Sequence, residues 1–232
     1  MARGRLIALE GIDGAGTTTQ ARMLSDWMRA EGLPVQLTCE PSGGPLGQLI
    51  RQVLTHRTRV VDRAALALLF AGDRVDHLQS EVEPQLSQGV HVITDRYVYS
   101  SLAYQSLDLE PGWVAEINRL APEPDLTLYL RVDPEVGAAR RAGRGSAAEV
   151  FETTGEQCRI AATYDAFFGS KPDAGSWRTD PDGSGWIRGG GPSPGLATLG
   201  RRPTWAVVDG SHGVEAIHNQ LRKLVQKICA PG

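Results

Sequence analysis

Short apolar runs alternate with stretches of helical period along this chain. Leu6 to Leu9 reads as a buried strand, Leu33 to Cys39 as a second, Val90 to Thr94 as a third, Leu126 to Val132 as the clearest, and Trp205 to Asp209 as the last. Between them, Thr18 to Glu31 carries Met23, Leu24, Trp27 and Met28 on one stripe and stops at Gly32. Leu46 to Leu54 marks a short helix. Asp62 is the expected N-cap of a long helix from Arg63 to about Ser80, with Leu66, Leu69, Phe70 and Val75 on its buried face. Further helices are expected at about 81–88, Tyr97 to Ser106, from Pro111, from Pro134, over 149–168, and from Val214 to Ile228. Strands alternating with helices predict an α/β fold: a three-layer α/β/α sandwich around a mostly parallel five-stranded sheet. Ligands of such sheets gather at the C-terminal strand ends. Glu10, Glu40 and Asp95 fall at or just past such ends, beside a glycine-rich stretch.

Composition shifts at Gly169. Residues 169–203 are rich in glycine, proline and serine, and read as an exposed or partly disordered insertion, with a small hairpin around Asp182-Gly183, within a single domain spanning 1–232. The net charge of -3 supplies no basic field for a nucleic-acid backbone. Cys39, Cys158 and Cys229 are too few for a disulfide framework and read as reduced thiols of a cytoplasmic protein. His56, His77, His91, His212 and His218 show no metal spacing. No secretory signal is visible, and no apolar run is long enough to span a membrane.

The chemistry starts at Gly11. Gly11, Ile12, Asp13, Gly14, Ala15, Gly16, Thr17, Thr18 and Thr19 connect the first strand to the first helix. A glycine-rich turn opening a helix cradles phosphates with backbone N–H groups. The usual pattern is G-x-x-x-x-G-K-[ST]; here Thr17 stands at the lysine position. The three lysines, Lys171, Lys223 and Lys227, all lie late in the chain.

Several motifs in order carry a resemblance: Glu10 to Gly16, Glu40-Pro41, Leu69 to Arg74, Asp95-Arg96-Tyr97 with Ser100-Ser101 and Ala103-Tyr104-Gln105, and Pro124 to Leu130. Together they resemble the thymidylate kinases of the P-loop nucleoside-monophosphate kinase superfamily. The resemblance implies a P-loop NTPase fold, ATP and Mg²⁺, dTMP as the acceptor, and a homodimer. It implies that Gly11 to Thr19 wrap the ATP phosphates, and that Thr18 and Asp95, with Glu40 as a further candidate, serve the metal. Asp13 would meet the acceptor 3′-OH and Arg96 its phosphate. Phe70 would stack on thymine, Arg74, Ser101 and Gln105 read the base edge, and Tyr104 closes on the deoxyribose. Residues 140–150 resemble a lid whose Arg140, Arg141 and Arg144 supply the charge that other members place in the loop at position 14. From residue pattern alone, Phe70 equally fits an apolar helix stripe, Tyr104 is a helix-face aromatic, and Glu40 has a structural alternative.

A phosphate monoester is already a nucleophile, so such an enzyme aligns donor and acceptor and neutralises charge rather than supplying a strong base. Thr17 brings a hydroxyl and no charge. Three readings follow: a kinase in which another cation stands in (the lid arginines, or Lys171 folding back), a nucleotide-binding protein without transfer, or a kinase for another deoxynucleotide.

Overall fold

The structure, a computed structural model, describes residues 2–58, 62–143, 153–169, 178–179, 186–189 and 204–229. Strand β1 (Leu6–Glu10) is buried along its whole length. It pairs in parallel with β3 (His91–Asp95) on one side and β4 (Leu126–Arg131) on the other. Outside these, β2 (Val35–Cys39) pairs in parallel with β3, and β7 (Thr204–Asp209) with β4. The five parallel strands thus run β2-β3-β1-β4-β7. Ile7, Ala8, Leu9, Ile93, Leu128 and Leu130 are wholly buried. Burial from both faces is why these strands read as unbroken apolar runs rather than alternations. Two short strands extend the sheet beyond β7: β5 (Arg178–Thr179) pairs antiparallel with β6 (Trp186–Gly189), and β6 antiparallel with β7. Asp182-Gly183 falls between β5 and β6.

Helices flank the sheet. Helix α1 (Thr17–Ala30) packs on α9 (Val214–Cys229), and Leu24 and Met28 of the one and Leu221 and Val225 of the other are buried. Helix α2 (Pro45–Leu54) packs on α3 (Arg63–His77). The Asp62 carboxylate caps α3, accepting the N–H of Ala64 at 2.8 Å and of Ala65 at 3.0 Å. α3 runs through a widened turn (Leu78–Val82) into α4 (Glu83–Ser87), so two expected helices form one helical run. Pro84 has no N–H for the Ser80 carbonyl, and the wide turn sits just there.

The buried face of α3 departs from the expected stripe. Val75 is 36% exposed, while Asp73, Arg74 and His77 point inward. Partners decide this: Ser42 takes Asp73, and Glu40 takes Arg74 and His77.

The remaining helices are α5 (Val98–Gln105), α6 (Pro111–Ile117), α7 (Pro134–Ala142) and α8 (Thr154–Phe168). Thr153 and Glu156 form a reciprocal capping box at the start of α8. Its other end is fixed by aromatics: Tyr164 stacks on Tyr129 at 5.1 Å, and Phe168 meets Trp205 edge-on at 6.0 Å. Arg144, Lys171, and most of the 140–150 and 169–203 segments lie outside the described residues.

Candidate active site

The parallel strands end on a common edge, where Leu9, Asp95 and Cys39 lie in register and Glu10, opposite Tyr129, stands one residue further along β1. From Glu10 the chain enters the glycine-rich loop. Gly14 has φ +87 and Gly16 φ +96, the left-handed region that side chains disfavour. A Cβ on Gly14 would lie 2.3 Å from the Gly137 carbonyl oxygen of α7. Gly16 is the N-cap of α1. The first-turn N–H groups of Thr17, Thr18 and Thr19 therefore have no preceding turn to bond, the arrangement that receives phosphate oxygens. No side chain crowds Gly16: a Cβ there would meet nothing within 4 Å. The cradle fits a nucleotide's phosphates.

Thr17 is buried at the loop's end. One cation reaches the loop from α7: Arg141 donates Nη1–H to the Asp13 carbonyl at 2.5 Å. Arg140 precedes it, half-buried. Among the described residues the only lysines, Lys223 and Lys227, sit on α9.

Thr18 Oγ1 donates to Asp95 Oδ2 at the end of β3. Asp95 Oδ1 is buried without a hydrogen-bond partner. A hydroxyl beside an unsatisfied carboxylate oxygen is the hard-oxygen chemistry that suits Mg²⁺. Glu40, a candidate for the metal's waters or for nearby arginines, holds an arginine here. Its Oε2 takes Arg74 Nε at 2.8 Å and its Oε1 faces His77 Nδ1 at 3.4 Å, so both oxygens are engaged inside the protein. Burial lowers the His77 pKa, and Glu40 outweighs it, leaving a net rise.

A cavity of about 410 Å³ opens beside the loop. Phe70, Arg74, Arg96, Ser101, Tyr104 and Gln105, the six residues expected on the acceptor side besides Asp13, all line it. Asp13, Thr18, Glu40 and Asp95 line it as well. Phe70 also packs on the small cluster of Ile50, Val53 and Leu66, so stripe and pocket wall are one surface. Arg74 is 2% exposed. Its guanidinium is held by Glu40, by Ser101 Oγ at 3.0 Å, and by Asn118 Oδ1 at the end of α6. Removing one partner of such a buried ion pair typically costs about 3–5 kcal/mol. Gln105 Nε2 donates to Ser101 Oγ at 3.3 Å, and its Oε1 is buried without a partner.

Arg96 has φ +70, unusual for a residue with a side chain. Its N–H is held by the Leu9 carbonyl at 2.9 Å, and its guanidinium donates to the Gly11 carbonyl at 2.9 Å and to Asp13 Oδ1. Tyr104 lies 5.0 Å under the guanidinium and donates its own hydroxyl to Asp13 Oδ1 at 3.0 Å. Burial disfavours the Arg96 charge, but Tyr104 and Asp13 prevail and its pKa stands well above the ordinary value.

Beneath this layer, Glu10 is wholly buried. It accepts from Tyr97 N at 3.0 Å, Ser100 Oγ at 2.6 Å and Tyr164 OH at 2.8 Å. Burial pushes its pKa up to about 7 against those hydrogen bonds and the Arg96 charge. Sequence reasoning assigned no role to Asn118, Gln157 or Tyr164. Each meets the site only through distant chain contacts, and no local motif announces them.

Comparison with known proteins decides the family. The Thymidylate kinase family model matches residues 9–173, more than half of the chain. The chain belongs to the thymidylate kinase family. A thymidylate kinase of Synechococcus sp. (strain RCC307) is 37% identical, over 97% of both chains. A probable thymidylate kinase of Thermococcus onnurineus is 42% identical over 95% of this chain and 96% of its own. One from Pyrococcus horikoshii is 40% identical over 70% of this chain and 82% of its own.

Proposed function

We infer that this chain is a Mg²⁺-dependent phosphotransferase that moves the γ-phosphoryl group of ATP to dTMP, giving ADP and dTDP. One observation carries the reading: Asp13 and Thr18 of the glycine-rich loop and the full acceptor set line one cavity, joined by the Asp13–Arg96 pair. The loop and the N-terminus of α1 bind the donor phosphates. Phe70 offers a face for the base, and Ser101, Gln105 and Arg74 offer its edge polar partners. Arg96 orients the acceptor phosphate, and Asp13 with Tyr104 receives the sugar. Thr18 and Asp95 would hold Mg²⁺, which neutralises phosphate charge when bound. Arg140, Arg141 and Arg144 are assigned to the transferred group, where preorganised positive charge stabilises the transition state. The acceptor's own phosphate oxygen is the nucleophile, so no protein base is required.

The same reading takes residues 140–150 as a lid, 169–203 as an insertion within a single domain, and the cytoplasm as the site of action. It also takes the enzyme as a homodimer. In support, α3 exposes Leu68 and Val75, and Leu120 beyond α6 is 60% exposed. No described helix is long and apolar enough to cross a membrane.

The test is diphosphate formation from ATP, Mg²⁺ and a panel of nucleoside monophosphates, with Arg96→Ala as the contamination control. Turnover is expected with dTMP. Absence of turnover with every monophosphate sinks the enzyme reading. Thr17, which leaves the loop without its usual ammonium, favours one second reading: ADP and dTMP binding without transfer.

A further inference from the structure

Asp13 has every polar group engaged, and two helices that the family pattern does not assign to the acceptor do half of the holding. Its carbonyl takes Arg141 of α7. Its N–H donates to Gln157 Oε1 at 3.0 Å, and its Oδ2 accepts from Gln157 Nε2 at 2.8 Å. Gln157 is thus a two-point clamp: one amide group reads both the backbone and the side chain of a single loop residue. The other carboxylate oxygen, Oδ1, is left to Arg96 and Tyr104.

We propose that Gln157 is a positioning residue for the acceptor site, fixing the Asp13 carboxylate, and through it the Arg96 guanidinium, in the orientation that receives the acceptor's sugar and phosphate. Three observations support a built device. Gln157 is wholly buried, so its amide is committed to protein partners. Its backbone N–H is held by the Thr153 carbonyl at 3.0 Å, next to the capping box that fixes the start of α8. The far end of α8 is locked on the sheet by Tyr164 and Phe168. A carboxylate free to rotate about its χ angles would exchange Oδ1 and Oδ2 between Arg96 and solvent. Tied at Oδ2 by an amide donor, it presents one fixed face.

The sugar contact rests on the proposed function; the clamp itself does not. Two measurements separate them. In the ligand-free protein, amide exchange of Asp13 is expected to quicken at least about tenfold in Gln157→Leu, since its N–H loses an acceptor, with the core strands unchanged. Unaltered protection of Asp13 overturns the inference whatever the enzyme's substrate. Calorimetric binding is then compared for dTMP and for its 3′-deoxy analogue. Gln157→Leu is expected to weaken dTMP about tenfold and the 3′-deoxy analogue less than about twofold, the size of one charge-assisted hydrogen bond. Equal weakening of both ligands, or weakening of neither, overturns the positioning role. Gln157→Glu keeps the shape and an acceptor for the Asp13 N–H but sets a carboxylate against Oδ2. It is expected to retain Asp13 protection while losing the discrimination between the two acceptors; retained discrimination counts against the proposal. Quickened exchange of Asp13 in a protein that binds no dTMP at all leaves the clamp standing and removes the proposed substrate.

Discussion

Thr18 gives its hydroxyl hydrogen to one oxygen of Asp95, while the other Asp95 oxygen is buried with no partner. An unpartnered carboxylate oxygen at the end of a parallel strand is costly to bury unless a cation completes it. Asp95→Asn keeps the shape and removes the charge. Turnover is expected to fall by about 10²–10³-fold. The Mg²⁺ concentration for half-maximal rate is expected to rise, with the melting temperature held or raised. Initial rates across a Mg²⁺ series, with a thermal melt as control, check it.

Thr17 and Arg141 form the second test. If the α7 arginine carries charge that the loop lacks, Thr17→Lys raises turnover, and Arg141→Ala lowers it by about 10²-fold in the Thr17 protein but much less in the Lys variant. A double-mutant cycle on kcat/KM measures that difference. Unchanged or lower turnover in a folded Thr17→Lys protein means that a substitute cation or a different loop pose already fills the lysine's place.

Glu10 predicts a pH dependence of stability. Its folded pKa of about 7 lies above its unfolded value, so the folded state binds the extra proton between about pH 4.5 and 7. Stability contributed by this group therefore falls as pH rises across that window and levels off above it. Glu10→Gln, which cannot ionise, is expected to flatten the slope. Urea midpoints at pH 5, 6, 7 and 8 for both proteins show whether it does.

The exposed apolar face offers a fourth test. Leu68 is 53% exposed on α3, with Val75 beside it. For a homodimer built on that face, Leu68→Glu is expected to weaken association by about 30-fold or more, reading as a shift from dimer to monomer in sedimentation. Unchanged sedimentation moves the interface elsewhere.

The fold was legible because its signals are local. The central strands, buried on both faces, leave apolar runs, Asp62 announces a helix start, and the glycines mark the loop. The residues that line the cavity were legible because they fall in short motifs on α3, after β3 and on α5. The supporting shell was not. Nothing near Gln157 says that it meets Asp13, 144 positions away. Val75 was placed inside by its stripe, but the polar partners offered by β2 and the turn after it drew Arg74 and His77 inward instead. Glu40, at the end of a strand, reads equally as a partner for the metal's waters or for nearby arginines, and the Arg74 contact 34 positions away is not visible locally. Apolar periodicity reports what leaves water; it does not report which buried charges find each other.

Gly14 and Gly137 touch backbone to backbone, so no side chain of any size fits at position 14 while α7 lies where it does. An arginine grafted into the loop there would have to push the helix away, and with it Arg141. Loop and helix are interlocking halves of one lock: a protein that moves the Arg141 charge from the helix into position 14 must rebuild both in the same step.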